Sequence, residues 1–216
     1  MFGGTFAPIH HGHLRLALEL CERLDLAQVK IVPCGTPPHR DAPEVSAQRR
    51  LRWAQLAING VPRLQVDDCE VRRGGASYTY DTLAELRVKV GKATPLVLLL
   101  GDDAANGFHG WHRWREIAEL AHLVFAERPF EPSAPTPELA AFLRGRRAES
   151  PVELLARPAG LWLSTSIPPL AISSTRIRRL LAAGRSIRGL VPEAVIRDLT
   201  PEDIHLLTHD EAPADD

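Results

Sequence analysis

The sequence predicts an α/β protein built on an open, doubly wound, mainly parallel sheet with helices on both faces. Three observations predict this fold class. Short apolar segments of strand length alternate with amphipathic helical segments along the chain. The most apolar run, Leu96 to Leu100, has no polar alternation, which is typical of a strand buried on both faces of a parallel sheet. A glycine turn also leads into the first helix, as doubly wound folds require.

Helical spacing and turn residues define the elements of the first half of the chain. Apolar residues recur three and four apart in the first helix, Ser46 is placed as an N-cap, and Gly60 ends the helix that follows it. The predicted elements are a helix at 14–24, a strand at 29–33, a loop at 34–46, a helix at 47–59, strands at 64–67 and 70–72, a glycine turn at 74–75 and a helix at 81–90.

The second half continues the alternation. Its prolines mark surface loops, and its apolar runs mark strands. The predicted elements are a strand at 96–100, a helix at 114–121, a strand at 123–126, a loop at 129–138, a helix at 138–146, a strand at 161–164 and helices at 175–183 and 192–199. We assign 1–207 to a single domain and expect the acidic tail at 208–216 to be disordered.

Composition excludes several classes of function. The 26 basic and 27 acidic residues give a net charge of −1, which argues against a nucleic-acid partner. Neither an apolar run of about 20 residues nor a signal peptide occurs in the sequence, so no membrane partner is expected. Three widely spaced cysteines form neither a disulfide framework nor a metal motif. These features predict a soluble protein of the cytoplasm, and they leave homo-oligomerisation open.

The start of the chain is unusual for this fold class. Only Met1 and Phe2 precede the glycine turn, although the strand before such a turn lies in the middle of the sheet. A central strand of two residues would leave backbone groups of its neighbours unpaired. We therefore expect the natural chain to begin several residues upstream.

The segment from Gly3 to His13 carries the strongest chemical signal. Its glycines allow a close backbone approach to a ligand, and a phosphate at the start of the first helix would meet unpaired N–H groups. His10 and His13, three apart, are placed to donate hydrogen bonds to charge that develops during phosphoryl transfer. The alternatives are a histidine-rich surface turn or an adventitious metal pair, although no third type of ligand lies nearby at metal-binding spacing.

A second motif, from Ile172 to Arg178, is also suited to phosphate. Its hydroxyl residues precede a helix, and Arg178 returns to the face of Ser174 one turn later. The guanidinium group binds two phosphate oxygens at once. The alternative is an ordinary capped basic helix. Together the two motifs predict the two ends of a triphosphate site.

These motifs resemble the H-x-G-H nucleotidyltransferases, and most closely the bacterial nicotinate mononucleotide adenylyltransferases. The opening segment matches G-G-T-F-D-P-x-H-x-G-H except at Ala7, where the family has aspartate. Similar segments continue beyond Val191. The resemblance implies a Rossmann-like fold of the nucleotidyltransferase type.

The resemblance also implies roles for individual residues, each of which has a plainer alternative as a loop, cap or core residue. The implied catalytic residues are His10, His13 and Arg178. The implied ATP-binding residues are Gly3, Gly4, Thr5, Phe6, Gly12, Gly101, Asp103, Ser173, Ser174 and Thr175. The implied mononucleotide-binding residues are Pro38, His39, Arg40, Ser77, Tyr78, Thr79, Trp111 and Arg128. Within this last set, 77–79 would hold the pyridine carboxylate, and Trp111 would stack on the ring.

The activity implied is adenylyl transfer from ATP to nicotinate mononucleotide, which gives deamido-NAD and pyrophosphate in NAD biosynthesis. Mg²⁺ would accompany ATP, held by phosphates and water rather than by protein ligands. Two alternatives remain open at this point. In the first alternative, the acceptor is nicotinamide mononucleotide instead of nicotinate mononucleotide. In the second, Ala7 marks a homologue that binds nucleotide without catalysis.

Overall fold

Parallel strands form the centre of the molecule. The structure is a computed structural model that describes residues 1–38, 45–101, 104, 107–127, 136–168 and 170–209. In these residues the strands are β1 (Phe2–Gly4), β2 (Val29–Pro33), β3 (Leu64–Val66), β4 (Val97–Leu100), β5 (His122–Glu127) and β6 (Trp162–Ser166).

The helices connect these strands and continue after the last one. They are α1 (His11–Arg23), α2 (Ala47–Ile58), α3 (Cys69–Arg73), α4 (Thr79–Val90), α5 (Trp114–Leu120), α6 (Pro137–Leu143), α7 (Pro151–Leu155), α8 (Ser174–Ala182), α9 (Glu193–Asp198) and α10 (Pro201–Thr208), with a 3₁₀ turn at Phe108–Gly110. Within the described ranges, no helix is both long enough and apolar enough to cross a membrane.

The strands make two parallel three-stranded sheets that meet edge to edge. One has the order β1-β2-β3 and the other β4-β5-β6. Met1 joins them, because its amino group donates to the Val97 carbonyl at 2.7 Å and its own carbonyl accepts from the Leu99 N–H at 2.9 Å. The combined order is β3-β2-β1-β4-β5-β6, which is the doubly wound order predicted as the fold class.

The short first strand pairs with neighbours on both sides. β1 has three residues, which lie in register with 31–33 of β2, and Met1 occupies the side toward β4. The chain start is therefore joined to β2 by β1 itself and to β4 by Met1.

Two apolar clusters cover the two faces of the sheet. All four residues of β4 are buried, and they alternate between the clusters. α1 contributes Leu14 and Leu20 to one cluster, and α4 contributes Leu83 and Leu86 to the other. Each fully buried leucine contributes about 1.5–3 kcal/mol. The unbroken apolar run at 96–100 was thus read correctly as a doubly buried strand.

Several predicted elements differ from the structure. The strand predicted at 70–72 is wrong, because these residues lie in α3, whose first N–H, that of Cys69, is bound by the Asp67 carboxylate at 3.1 Å. The loop predicted at 129–138 ends earlier, since Thr136 caps α6 and Pro137 occupies its first position. Residues 129–135 of that loop and 210–216 of the tail lie outside the described residues. Helices α7 and α10 were not predicted.

Candidate active site

The carboxyl ends of β1 and β4, where the strand order reverses, open into a cavity of about 960 Å³. Open α/β sheets bind ligands at this position. Every sequence-predicted site residue that the structure describes lines this cavity: Gly3, Gly4, Thr5, Phe6, His10, Gly12, His13, Pro38, Ser77, Tyr78, Thr79, Gly101, Trp111, Ser173, Ser174, Thr175 and Arg178. His39, Arg40, Asp103 and Arg128 lie outside the described residues.

The two motif histidines hold each other at the start of α1. His10 is the N-cap, and its Nδ1 accepts a hydrogen bond from the His13 N–H at 3.3 Å. The Nδ1 atom of His13 accepts in return from the His10 N–H at 3.2 Å. Their rings stack with centroids 3.6 Å apart and planes 20° apart. The H-x-x-H spacing therefore forms a reciprocal helix cap that fixes both imidazoles.

Burial keeps both histidines neutral. Desolvation, helped by the neighbouring His11, lowers the pKa of His10 to about 4. Desolvation and the His10 ring lower the pKa of His13 well below its usual range. Since each Nδ1 accepts a backbone hydrogen bond, the single proton of each neutral ring is assigned to Nε2. The pair thus presents two uncharged N–H donors.

Glycines make room around the histidines. A Cβ at position 12 would lie 3.0 Å from His10 Nδ1 and 3.3 Å from the Ile172 carbonyl oxygen. A Cβ at Gly4 would lie 2.7 Å from the Phe6 ring. The Phe6 and His13 rings are nearly perpendicular, with their centroids 5.0 Å apart. Neither Gly4 nor Gly12 has a positive φ, whereas Phe6 has a φ of 52°. Close packing, rather than an unusual backbone angle, is therefore what requires glycine at these two positions.

The second motif is docked onto the opening loop. Ser173 caps α8 by accepting from the Arg176 N–H at 3.1 Å. The Ser174 hydroxyl donates to the Pro8 carbonyl at 3.0 Å, and Arg178 donates to the Ala7 carbonyl at 3.2 Å. Because Arg178 uses a backbone oxygen, this contact does not need the aspartate that the family pattern has at position 7.

Arg50 is a buried residue that the sequence reading missed. Its guanidinium group donates to the carbonyls of Thr5 and Cys34, both at 2.8 Å, and to that of Gly35 at 2.7 Å. It thereby ties the loop after β1 to the loop after β2. The available signal was its place on the apolar stripe of α2, beside Trp53 and Ala54 at helical spacing.

The stretch Ser77-Tyr78-Thr79 forms another wall of the cavity. The Ser77 Oγ atom accepts from the Gly35 N–H at 2.8 Å, and the Ser77 N–H donates to the Thr36 carbonyl at 2.9 Å. The N-cap of α4 is Tyr78, which makes no side-chain cap hydrogen bond. The alternative in which Ser77 or Thr79 simply caps this helix is therefore wrong.

Aromatic side chains stand beside this wall. The Tyr78 ring lies 4.5 Å from the ring of His112, which the sequence reading missed. Trp111 is half-buried against Phe108, with centroids 5.5 Å apart. Trp114 is buried in the core. Trp111 thus retains a partly accessible ring at the cavity.

Glu70 is a second residue that the sequence reading missed, because 70–72 was read as a strand. Its side chain lines the cavity from α3 and is almost fully buried. The Thr82 hydroxyl donates to its carboxylate at 2.6 Å. Burial raises the pKa of Glu70, and hydrogen bonds from Thr82 and Ser77 oppose that rise.

The side chains that the structure describes form no ready metal site. In the ranges that the structure describes, no group of three or more histidine, cysteine, aspartate or glutamate side chains is arranged to hold a metal ion. The polar side chains of the cavity lining there carry mainly hydroxyl, imidazole and guanidinium groups, and apolar side chains supply the rest. Such a lining suits anionic phosphates, which carry oxygen ligands for a cation themselves.

Comparison with known proteins agrees with this geometry. The cytidylyltransferase-like family matches residues 1–180. A protein of Marinobacter nauticus named probable nicotinate-nucleotide adenylyltransferase is 48% identical over 199 residues, which cover 92% of each chain. A protein of the same name from Pseudomonas aeruginosa is 40% identical and covers 97% of each chain.

Solved structures share the fold at much lower identity. A nicotinic acid mononucleotide adenylyltransferase of Plasmodium falciparum, complexed with NaAD, superposes with a TM-score of 0.66 at 16% identity over 96% of this chain and 93% of that chain. The sequence matches, the doubly wound sheet and the histidine pair at its switch point lead to one assignment. The chain belongs to the cytidylyltransferase-like family and, within it, to the nicotinate-nucleotide adenylyltransferases.

Proposed function

We propose that the protein transfers the adenylyl group of ATP to nicotinate mononucleotide and releases pyrophosphate, a step of NAD biosynthesis. The observation that supports this most is the pair of neutral, reciprocally capped histidines beside the docked start of α8 in one cavity. The names of relatives with 40–48% identity agree with it.

In the proposed reaction a phosphate oxygen of the mononucleotide attacks the α-phosphorus of ATP in line. The new P–O bond forms as the bond to pyrophosphate breaks, without a covalent enzyme intermediate. The Nε2–H groups of His10 and His13 donate hydrogen bonds to the phosphate oxygens where negative charge grows. Because both rings are neutral, they stabilise this charge without transferring a proton.

The opening loop and α8 would bind ATP. The loop backbone at Gly3, Gly4, Thr5 and Phe6, with Gly12, approaches the nucleotide, and the first turn of α8 with Arg178 holds the β- and γ-phosphates. Gly101 and Asp103 would contact the ribose of ATP. A divalent cation accompanies ATP in nucleotidyltransferases, and here we propose Mg²⁺, which would lower the charge of the leaving pyrophosphate.

The wall around α4 would bind the mononucleotide. The first-turn N–H groups of α4 lack a side-chain cap, so they suit a carboxylate better than a neutral amide. Trp111 would stack on the pyridine ring. Pro38, His39, Arg40 and Arg128 would contact the rest of the mononucleotide. This uncapped helix start favours nicotinate over nicotinamide mononucleotide as the acceptor.

A parallel assay tests the proposal. Pyrophosphate and dinucleotide formation are measured with Mg²⁺-ATP and either nicotinate or nicotinamide mononucleotide. We expect the acid to be used at least tenfold more efficiently, which corresponds to about 1.4 kcal/mol. Equal use of both would refute the carboxylate role of residues 77–79. Nucleotide binding without turnover of either would favour a non-catalytic homologue.

The same proposal includes a cytoplasmic location. Cys21, Cys34 and Cys69 are all free thiols in the structure, a state that suits a reducing compartment.

A further inference from the structure

Glu70 connects three parts of the mononucleotide wall. It lies on α3, whereas its hydrogen-bond partner Thr82 lies in the first turn of α4, and Ser77 lies two residues before that helix. The Thr82 side chain is fully buried, and Ser77 is almost so. A buried carboxylate that accepts from a buried hydroxyl fixes that hydroxyl, which has no water as an alternative partner.

The Ser77 hydroxyl connects the residues that precede α4 to the loop after β2. Its oxygen accepts from the Gly35 N–H at 2.8 Å. Gly35 packs so closely that a Cβ there would lie 2.9 Å from the Glu70 carbonyl oxygen. The loop after β2 is therefore packed and hydrogen-bonded against the residues that lead into α4.

We propose that Glu70 is a positioning residue that sets the start of α4, and with it the affinity for the mononucleotide, through its hydrogen bond with Thr82. This inference rests on the proposed function for the identity of the ligand. ATP is held by the opening loop and α8, which Glu70 does not contact among its described hydrogen bonds. The effect is therefore expected on one substrate only.

Kinetics of matched variants test this inference. In Glu70→Gln a single carbonyl oxygen replaces the two carboxylate oxygens, and in Thr82→Val the shape is kept but the hydroxyl is lost. We expect both variants to raise the KM for nicotinate mononucleotide about tenfold and to change the KM for ATP by less than about twofold. Glu138→Gln removes an exposed acid paired with Arg115 and serves as the charge control.

Thr82→Ser separates positioning from packing. Serine keeps the hydroxyl but lacks the methyl group, so it should retain a KM for the mononucleotide close to that of the wild type. If Thr82→Ser is impaired as much as Thr82→Val, or if the KM for ATP rises in parallel, Glu70 has only a structural role. If Glu70→Gln fails to fold, the comparison of Thr82→Val with Thr82→Ser still tests the inference.

Amide hydrogen exchange keeps the inference separate from the proposed function. In Glu70→Gln and Thr82→Val the amides of 77–82 should exchange about tenfold faster than in the wild type, with those of α8 unchanged. Faster exchange in a protein that does not use nicotinate mononucleotide would refute the proposed function but keep the link. Unchanged exchange would refute the link itself.

Discussion

At the scale of single residues, the site depends on groups that have no room to move. His10 and His13 are fixed by reciprocal backbone hydrogen bonds, and Gly12 lies against the His10 ring. Reaction geometry of this kind is sensitive to displacements of about 1 Å. A substitution at position 12 therefore tests whether catalysis depends on the position of the His10 ring.

Gly12→Ala should lower activity while the protein remains folded. The new methyl group would press on His10 Nδ1 from 3.0 Å and displace the ring, which we expect to reduce kcat about ten- to hundredfold. Alanine stabilises a helix interior by about 1 kcal/mol relative to glycine, but its contacts with His10 and the Ile172 carbonyl should cost about 1–3 kcal/mol, so the free energy of unfolding should fall by no more than about 2 kcal/mol. Steady-state kinetics and urea unfolding measure the two effects. An unchanged kcat would show that the His10 position does not matter.

The motif residues could be predicted from sequence, whereas their supports could not. His10, His13 and Arg178 belong to short local patterns whose chemistry is readable. Arg50 and Glu70 are charged residues in segments without a motif, and charged residues are usually exposed. Their partners, such as Thr5 and Thr82, lie 45 and 12 residues away. Only the fold brings such partners together.

At the scale of elements, the C-terminal helices are anchored to α2 through Arg49. Its guanidinium group donates to Asp203 on α10 at 2.9 Å and pairs with Asp198 on α9, also at 2.9 Å. Asp203 accepts in addition from the Thr200 N–H and hydroxyl, both at 2.8 Å. α10 in turn places Leu206 and Leu207 in the cavity lining.

Loss of the Asp203 charge should release this anchor in a pH-dependent way. Burial alone would raise the pKa of Asp203, but hydrogen bonds from Arg49 and Thr200 outweigh it and lower the pKa below 3.8. We expect Asp203→Asn to reduce the free energy of unfolding by about 2 kcal/mol at pH 7. The advantage of the wild type should be complete above pH 3.8 and disappear as the pH falls further.

Denaturant unfolding of both proteins between pH 7 and pH 3 measures this difference. Asp25→Asn is the control, because Asp25 is 97% exposed where it pairs with Arg63 and should contribute less than about 0.5 kcal/mol. A difference between wild type and Asp203→Asn that is constant across this pH range would contradict the electrostatic explanation.

Strong periodicity made some elements predictable, and weak signals hid others. β4 and α1 have long apolar patterns, which the structure reproduces. α3 has five residues, too few for a helical period, so its Glu70 to Arg72 segment resembled a strand. α10 was missed although Thr200 and Asp203 form a capping box with Pro201 at the first helical position.

At the scale of the whole molecule, sheet topology creates the site. The order reverses between β1 and β4, so the loops after these neighbouring strands diverge and leave the cavity between them. Two motifs 160 residues apart meet there through the Ser174–Pro8 and Arg178–Ala7 hydrogen bonds. Phosphate chemistry predicted from the sequence that the two motifs lie close together. The carbonyls of Pro8 and Ala7, which join the motifs, could be identified only from the fold.

Side-by-side dinucleotide synthesis by the wild type and His13→Ala is the most direct test of the proposed chemistry. With Mg²⁺-ATP and nicotinate mononucleotide, the wild type should form dinucleotide and pyrophosphate in equal amounts. His13→Ala removes one preorganised donor and should lower kcat about 10²- to 10³-fold, with its fold confirmed by circular dichroism. A kcat close to that of the wild type in a folded His13→Ala protein would contradict the catalytic role of the histidine pair.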